Sequence, residues 1–254
     1  MKILLTNDDG VNAPGLLALV KEIKTIAEVI VIAPETERSA IGHAITLAWP
    51  LRVKKVFSSG KLFGYAVDGT PADCVKIALR TILKKRPALV ISGINQGPNL
   101  GTDVIYSGTV SAATEAAILG VAAIAVSLAS YKQKNFQPAA KAAKSIARYV
   151  LKHGLPYGTL LNVNVPALPQ KDIKGYAVTR QGKSIYDEQI IKREDPRGHE
   201  YYWLTGKAAW LKERDGADIH AIKQKKISIT PIHFDMTDYA YLNKLNSYQK
   251  IRLR

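Results

Sequence analysis

Two adjacent carboxylates, Asp8 and Asp9, stand between Asn7 and Gly10, directly behind the apolar run Ile3-Leu4-Leu5. Side by side they repel each other, so at neutral pH they are costly unless one is protonated or a cation lies between them. A hard divalent ion such as Mg²⁺, which takes oxygen ligands, is the natural partner. Read alone, Asn7-Asp8-Asp9-Gly10 serves equally well as a tight turn, because Asn, Asp and Gly all favour chain reversal. Matching chemistry behind other apolar runs moves the reading away from a plain turn. Pro34-Glu35-Thr36-Glu37-Arg38-Ser39-Ala40 follows a second run, and the long glycine-rich stretch 93–103, with Asn95 and Asn99, follows a third. Then Tyr106-Ser107-Gly108-Thr109-Val110 passes into a helical stretch, whose free amides, with Ser107 and Thr109 beside them, would bind an anion. Asp8, Asp9, Ser39 and Asn95 are oxygen donors throughout. The histidines, His43, His153, His199, His220 and His233, have no paired ligand spacing, and Cys74 is the single cysteine. Zinc or a soft metal is therefore disfavoured.

The elements that must position these residues are apolar runs short enough for strands buried on both faces, which belong to parallel sheets covered by helices. Such runs occupy residues 1–6, 29–33, 88–92, 121–128 and 160–166, with helices expected over 13–27 and 137–152. A strand, a helix and a strand in succession predict a right-handed parallel unit. Ligands of open α/β sheets collect at the carboxyl ends of the strands, so Asp8, Asp9, Ser39 and Asn95 are expected on one rim. Residues 44–67 alternate differently and read as a small antiparallel excursion, with strands at 45–47, 51–53 and 63–67. Gly69-Thr70-Pro71-Ala72-Asp73 predicts a helix start, with Thr70 the N-cap, Pro71 the first residue and Asp73 the reciprocal carboxylate. That reading is structural, and it outweighs a catalytic one. The core is nearly complete by Pro166. Beyond residue 171 the pattern becomes strand-like, with Tyr201-Tyr202-Trp203 aromatic, a last strand at 227–231 and a final helix over 238–250.

Composition narrows the class. The chain has 254 residues, 47% of them hydrophobic, and a formal charge of +15, which attracts polyanions. A basic nucleic-acid-binding protein is the competing reading. It leaves the acidic pair unexplained, since two aspartates would repel a phosphate backbone. The excess charge is also spread along the chain, so neither half is a basic arm. One cysteine fits a reducing compartment. The longest apolar stretch, 116–129, contains Gly120 and is too short to span a bilayer, so a soluble, cytoplasmic protein without a membrane partner is expected. Residues 177–184 imitate a phosphate-binding P-loop, but Ala177 stands where its first glycine belongs, and no G-x-G-x-x-G occurs.

The stretches 3–10, Val67-Asp68-Gly69-Thr70-Pro71-Ala72-Asp73, Ser92-Gly93-Ile94-Asn95, Asn99-Leu100-Gly101 and 104–110 closely resemble the SurE family. Its members are survival-protein-E phosphatases, also described as 5′/3′-nucleotidases. Asp195-Pro196-Arg197-Gly198, Tyr201-Tyr202-Trp203 and Ser228-Ile229-Thr230-Pro231 look like the family's later landmarks, so the resemblance covers nearly the whole chain. It implies an α/β fold with a Rossmann-like three-layer core, a mostly parallel sheet and an antiparallel C-terminal extension. Residues 1–254 would be one domain: a core of about 1–170 plus the strand near 227–231, an oligomerisation extension of about 171–215, and a C-terminal helix at 236–254. It further implies one divalent ion, Mg²⁺ or Mn²⁺, a homodimer or homotetramer, and phosphate release from nucleoside 5′-monophosphates, with 3′-monophosphates and short polyphosphate as further substrates. Carried over by position, Asp8, Asp9, Ser39 and Asn95 would hold the metal, and Asp8, Asp9 and Asn95 would be catalytic. Ser107, Gly108 and Thr109 would hold phosphate, with Asn12 and Asn99 as further substrate contacts. Two positions depart from the family pattern: Ala40 where a glycine commonly follows the serine ligand, and Lys225-Lys226 before the last strand.

Overall fold

Alternate residues of the first strand, β1 (Lys2–Thr6), feed two separate cores. Ile3 and Leu5 pack with Leu16, Leu19 and Ile23 of α1 (Pro14–Ile23), while Leu4 packs with side chains of the opposite layer. A strand apolar on both faces needs a helix layer on each, which is the three-layer arrangement expected. The structure, a computed structural model, describes residues 1–210 and 215–247. After α1 come β2 (Glu28–Pro34), β3 (Val53–Ser58), β4 (Lys61–Val67), α2 (Pro71–Ile77), β5 (Leu89–Gln96) and α3 (Gly108–Ile118). Then follow β6 (Ala123–Leu128), α4 (Gln137–His153), β7 (Thr159–Val165), β8 (Tyr176–Val178), β9 (Ser184–Glu194), β10 (Glu200–Trp210), α5 (Asp218–Lys223), β11 (Ile227–His233) and α6 (Tyr239–Ser247).

The main sheet runs β3-β4-β2-β1-β5-β6-β7-β11-β8. From β4 to β7 every pairing is parallel, and β3 and β11 add antiparallel partners at the two sides. The chain winds outward from β1 through β2 and then returns to β5 on the other side of β1. That reversal opens a crevice at the carboxyl ends of β1 and β5, where doubly wound sheets bind ligands. Helices α1 and α4 cover one face and α2 and α3 the other.

Several local expectations change. The predicted excursion is part of the main sheet, because β4 pairs with β2 in parallel. Residues 45–47 form no strand; Ile45 and Leu47 are exposed, and the Thr46 amide is spent on the Asp73 carboxylate. Helix α1 stops short of residue 27, because the Thr25 and Ile26 amides bond only three residues back. The short α5, unforeseen, buries Ile219 and Ala221 beside the last strand. Strands β9 and β10 pair with each other alone. The final helix is described to Ser247, and the rest of its expected span, to residue 250, lies outside the described residues. Among the described residues no helix is long and apolar enough to cross a membrane.

Candidate active site

The turn behind β1 is held from below and from the side. The Asn7 amide donates to the Gly10 carbonyl at 2.9 Å, and Gly10 adopts a positive φ of 101°, a conformation glycine reaches at no steric cost. The loop behind β2 is sewn to this turn: Arg38 N donates to the Asp8 carbonyl at 2.8 Å, and Val11 N to that of Pro34 at 2.9 Å. Asp8 and Ser39 are thereby carried on adjoining segments, as their strand-end positions predict.

Asp8 is buried. Its Oδ1 accepts the Thr109 hydroxyl, and its carboxylate lies against Gly108, where a Cβ would stand 2.9 Å from Oδ2. Asp9 is half-buried and its Oδ2 accepts the Gln96 amide at 3.3 Å, which ties the turn to the end of β5. Burial pushes the Asp8 carboxyl up to about 6, opposed by the Thr109 hydrogen bond. Burial, and then the charge of Asp8, push Asp9 up to about 7. Both groups are short of countercharge, which is the condition a cation relieves.

Ser39 is exposed, and its hydroxyl donates to Glu37 Oε1 at 2.6 Å. Asn95 uses its amide nitrogen on the Gly97 carbonyl at 2.9 Å, so its side-chain oxygen is the atom offered to a ligand. At the start of α3, Ser107 accepts the Val110 amide and so caps the helix, while Thr109 serves Asp8. Of the two hydroxyls expected to meet an anion, Thr109 spends its proton on Asp8, whereas Ser107 Oγ accepts and keeps its proton to donate. Asn99 is engaged more deeply: its amide nitrogen donates to Ser127, its backbone N–H to Asn164, and its carbonyl accepts from Asn162 and Asn164. Asn12 is exposed beside the acidic turn.

An oxygen-seeking cation fits this rim. The gathered donors are all oxygens, and Asn7 Oδ1 is a buried acceptor without a hydrogen-bond partner just behind the acidic pair. No group of three His, Cys, Asp or Glu side chains suited to a metal occurs among the described residues, so such an ion would rest on two carboxylates and neutral oxygens. Sequence reasoning passed over Glu37 and Gln96. Glu37, two residues before Ser39, contributes to the upward shift of both aspartates. The P-loop imitation is a brace: Gly182 N donates to Asp218, and Ser184 exchanges hydrogen bonds with Thr102.

Known proteins resemble the chain over nearly its whole length. The family model for survival protein SurE matches residues 3–188. The 5′-nucleotidase SurE of Geobacter sulfurreducens is 49% identical over 249 residues, covering 98% of this chain and 94% of that one. The protein of that name from Thermoanaerobacter sp. strain X514 is 53% identical over 248 residues, covering 98% of each. The crystal structure of the SurE protein from Aquifex aeolicus superposes with a TM-score of 0.85 at 42% identity, covering 98% of this chain and 100% of that one.

Proposed function

The chain belongs to the SurE family, and from that premise we propose that it is a metal-dependent phosphomonoesterase that hydrolyses nucleoside 5′-monophosphates to nucleoside and phosphate. The observation that carries the reading is the Asp8–Asp9 pair, Asp8 buried and Asp9 half-buried, with Asp8 set against the amino end of α3 at the crevice between β1 and β5. Asp8, Asp9, Ser39 Oγ and Asn95 Oδ1 would hold the ion. When bound, Mg²⁺ or Mn²⁺ supplies charge neutralisation and a water of lowered pKa.

The protein's own residues do the rest. Thr109 fixes the orientation of Asp8, and the Gln96 amide fixes that of Asp9. Asp9 Oδ1, the oxygen that Gln96 leaves unheld, takes the proton of the attacking water. The amino end of α3 favours the negative phosphate through the helix dipole, and the lack of a side chain at Gly108 lets that helix end lie directly against Asp8. Phosphoryl transfer asks mainly for such positioning and electrostatics. The same arrangement places no demand on which ribose oxygen leaves, so 3′-monophosphates and short polyphosphate belong to the proposed substrate range.

Phosphate release from nucleoside monophosphates and a generic phosphomonoester, measured with Mg²⁺, with Mn²⁺ and with chelator, tests the reading. Turnover lost in chelator and restored by the metal is expected. Absence of metal-dependent turnover on every monophosphate would overturn it.

A further inference from the structure

The segment that carries Ser39 has no regular structure of its own, yet it is tied down at closely spaced points between residues 38 and 46. Arg38 N bonds to the Asp8 carbonyl, and Gly42 N to that of Tyr106 at 3.0 Å. His43 Nε2 lies 2.9 Å from Oε2 of Glu115, on α3. The Ala44 carbonyl accepts the Thr70 hydroxyl at 2.8 Å, and Thr46 gives its amide and its hydroxyl to the two oxygens of Asp73, at 3.0 and 2.7 Å.

Two of these anchors do more than their local roles require. Thr70 and Asp73 form the capping box of α2, with Asp73 N on Thr70 Oγ1 and Thr70 N on Asp73 Oδ2. A capping box is complete with those two bonds. The bonds to Ala44 and Thr46 are additional, and they all fall on the segment that leads from Ser39. Glu115 is likewise more than a helix-to-helix contact. Its side chain is 3% exposed, and Lys76 of α2 already pairs with Oε1 at 2.6 Å. A carboxylate so buried needs its second oxygen satisfied as well, and His43, from the loop, satisfies it. The helix that carries this anchor is the one whose first turn, through Thr109, holds Asp8.

We propose that Glu115 and the α2 capping box are positioning residues that latch residues 38–46, so that Ser39 is set beside Asp8 before a cation arrives. The inference rests on the metal-dependent reading above and adds how this chain preorganises its site. Fixing a ligand-bearing loop in advance removes an ordering cost from binding. The latch is therefore read as metal affinity and as loop protection.

The test uses the loop-side partners, His43 and Thr46, which leaves the buried anchors intact. In the double variant His43→Phe/Thr46→Val, Mn²⁺ affinity without substrate, measured by calorimetry, falls about tenfold, as the loss of two hydrogen bonds of ordinary net strength implies. Amide hydrogen exchange speeds up most across 38–46, with a smaller rise in α3 beside Glu115, which loses a partner. His43→Gln and Thr46→Ser, which keep a donor, restore both readings. Unchanged Mn²⁺ affinity or unchanged exchange in the loop overturns the proposal. So does a loss of protection across α2 and α3 as large as that in the loop, which would make these contacts ordinary stabilisation. If the wild-type protein binds no Mn²⁺, the metal-dependent reading itself falls and this inference with it.

Discussion

Replacing Gly108 by alanine is the sharpest test of where the chemistry sits. A Cβ at this position would lie 2.8 Å from Asp8 Cβ, 2.9 Å from Asp8 Oδ2 and 3.2 Å from the Arg38 carbonyl. Carbon atoms in contact prefer about 3.5–4.0 Å, so the first of these distances is short by about 0.7 Å or more. Asp8 has little freedom to retreat, because Thr109 holds its carboxylate and Arg38 N holds its carbonyl. Overpacking of this kind costs about 1–3 kcal/mol, and the better helix propensity of alanine offsets up to about 1 kcal/mol of it. For a chain of this length each kcal/mol lowers Tm by about 2–4 °C. A fall of a few degrees is therefore expected, in a protein that still folds. The reacting groups fare worse, since a displacement of about 1 Å can cost about 100-fold in rate. Gly108→Ala should lower kcat/KM for a nucleoside monophosphate by about that factor, measured by phosphate release at saturating Mg²⁺. Turnover within about threefold of wild type, against the roughly 100-fold loss reasoned here, would show that the Asp8 carboxylate does not take part in the reaction.

Asp8→Asn and Asp9→Asn should each abolish most turnover while leaving Tm in chelator unchanged or raised, because each removes one of two crowded, desolvated charges. The rise in Tm on adding Mg²⁺ should vanish in both, as differential scanning calorimetry can show. Glu22, on α1, is bound by Lys144 and Gln137 of α4. The Lys144 hydrogen bond holds its carboxyl below the ordinary 4.5. A depressed folded-state value contributes stability above the unfolded pKa, and that contribution is lost as pH falls through the folded value. Glu22→Gln should accordingly cost about 1–2 kcal/mol at pH 7, and urea titrations should find the difference shrinking below the ordinary glutamate pKa. The β9–β10 hairpin exposes Ile190, Tyr202, Trp203 and Leu204 outside the main sheet, and an isolated two-stranded hairpin is marginal in water. A homo-oligomer joined through this arm is expected; light scattering that finds a monomer would refute it, and an unchanged mass after deleting residues 236–254 would exclude the final helix from the contact.

What was legible in the chain follows the range of the interaction responsible. Strand β1 and the acidic turn behind it are readable because burial on both faces leaves an unbroken apolar run, and the run ends where the sheet does. Thr70-Pro71-Ala72-Asp73 is readable because a capping box closes over three residues. Helix α4 shows its buried side, Ala139, Ala140, Ala143, Ala147 and Val150, at helical spacing. Strand order then brings Asp8, Asp9 and Asn95 to one crevice without any side-chain detail, since a doubly wound sheet assembles its rim from strand ends.

The duties of individual polar groups follow a different rule. Glu115 meets Lys76 across 39 residues and His43 across 72, and Thr109 meets Asp8 across 101. No periodicity announces such pairs. They arise because a charge or hydroxyl, once buried, must find a partner wherever the chain has delivered one. That is why the hydroxyl of Thr109, read from sequence as facing an anion, is found steadying a carboxylate, and why the capping box, read as a helix start, also ties down residues 44 and 46. The elements decide which residues can reach the crevice. The long-range bonds decide how each is held there, and a site whose rate depends on fractions of an ångström depends on both.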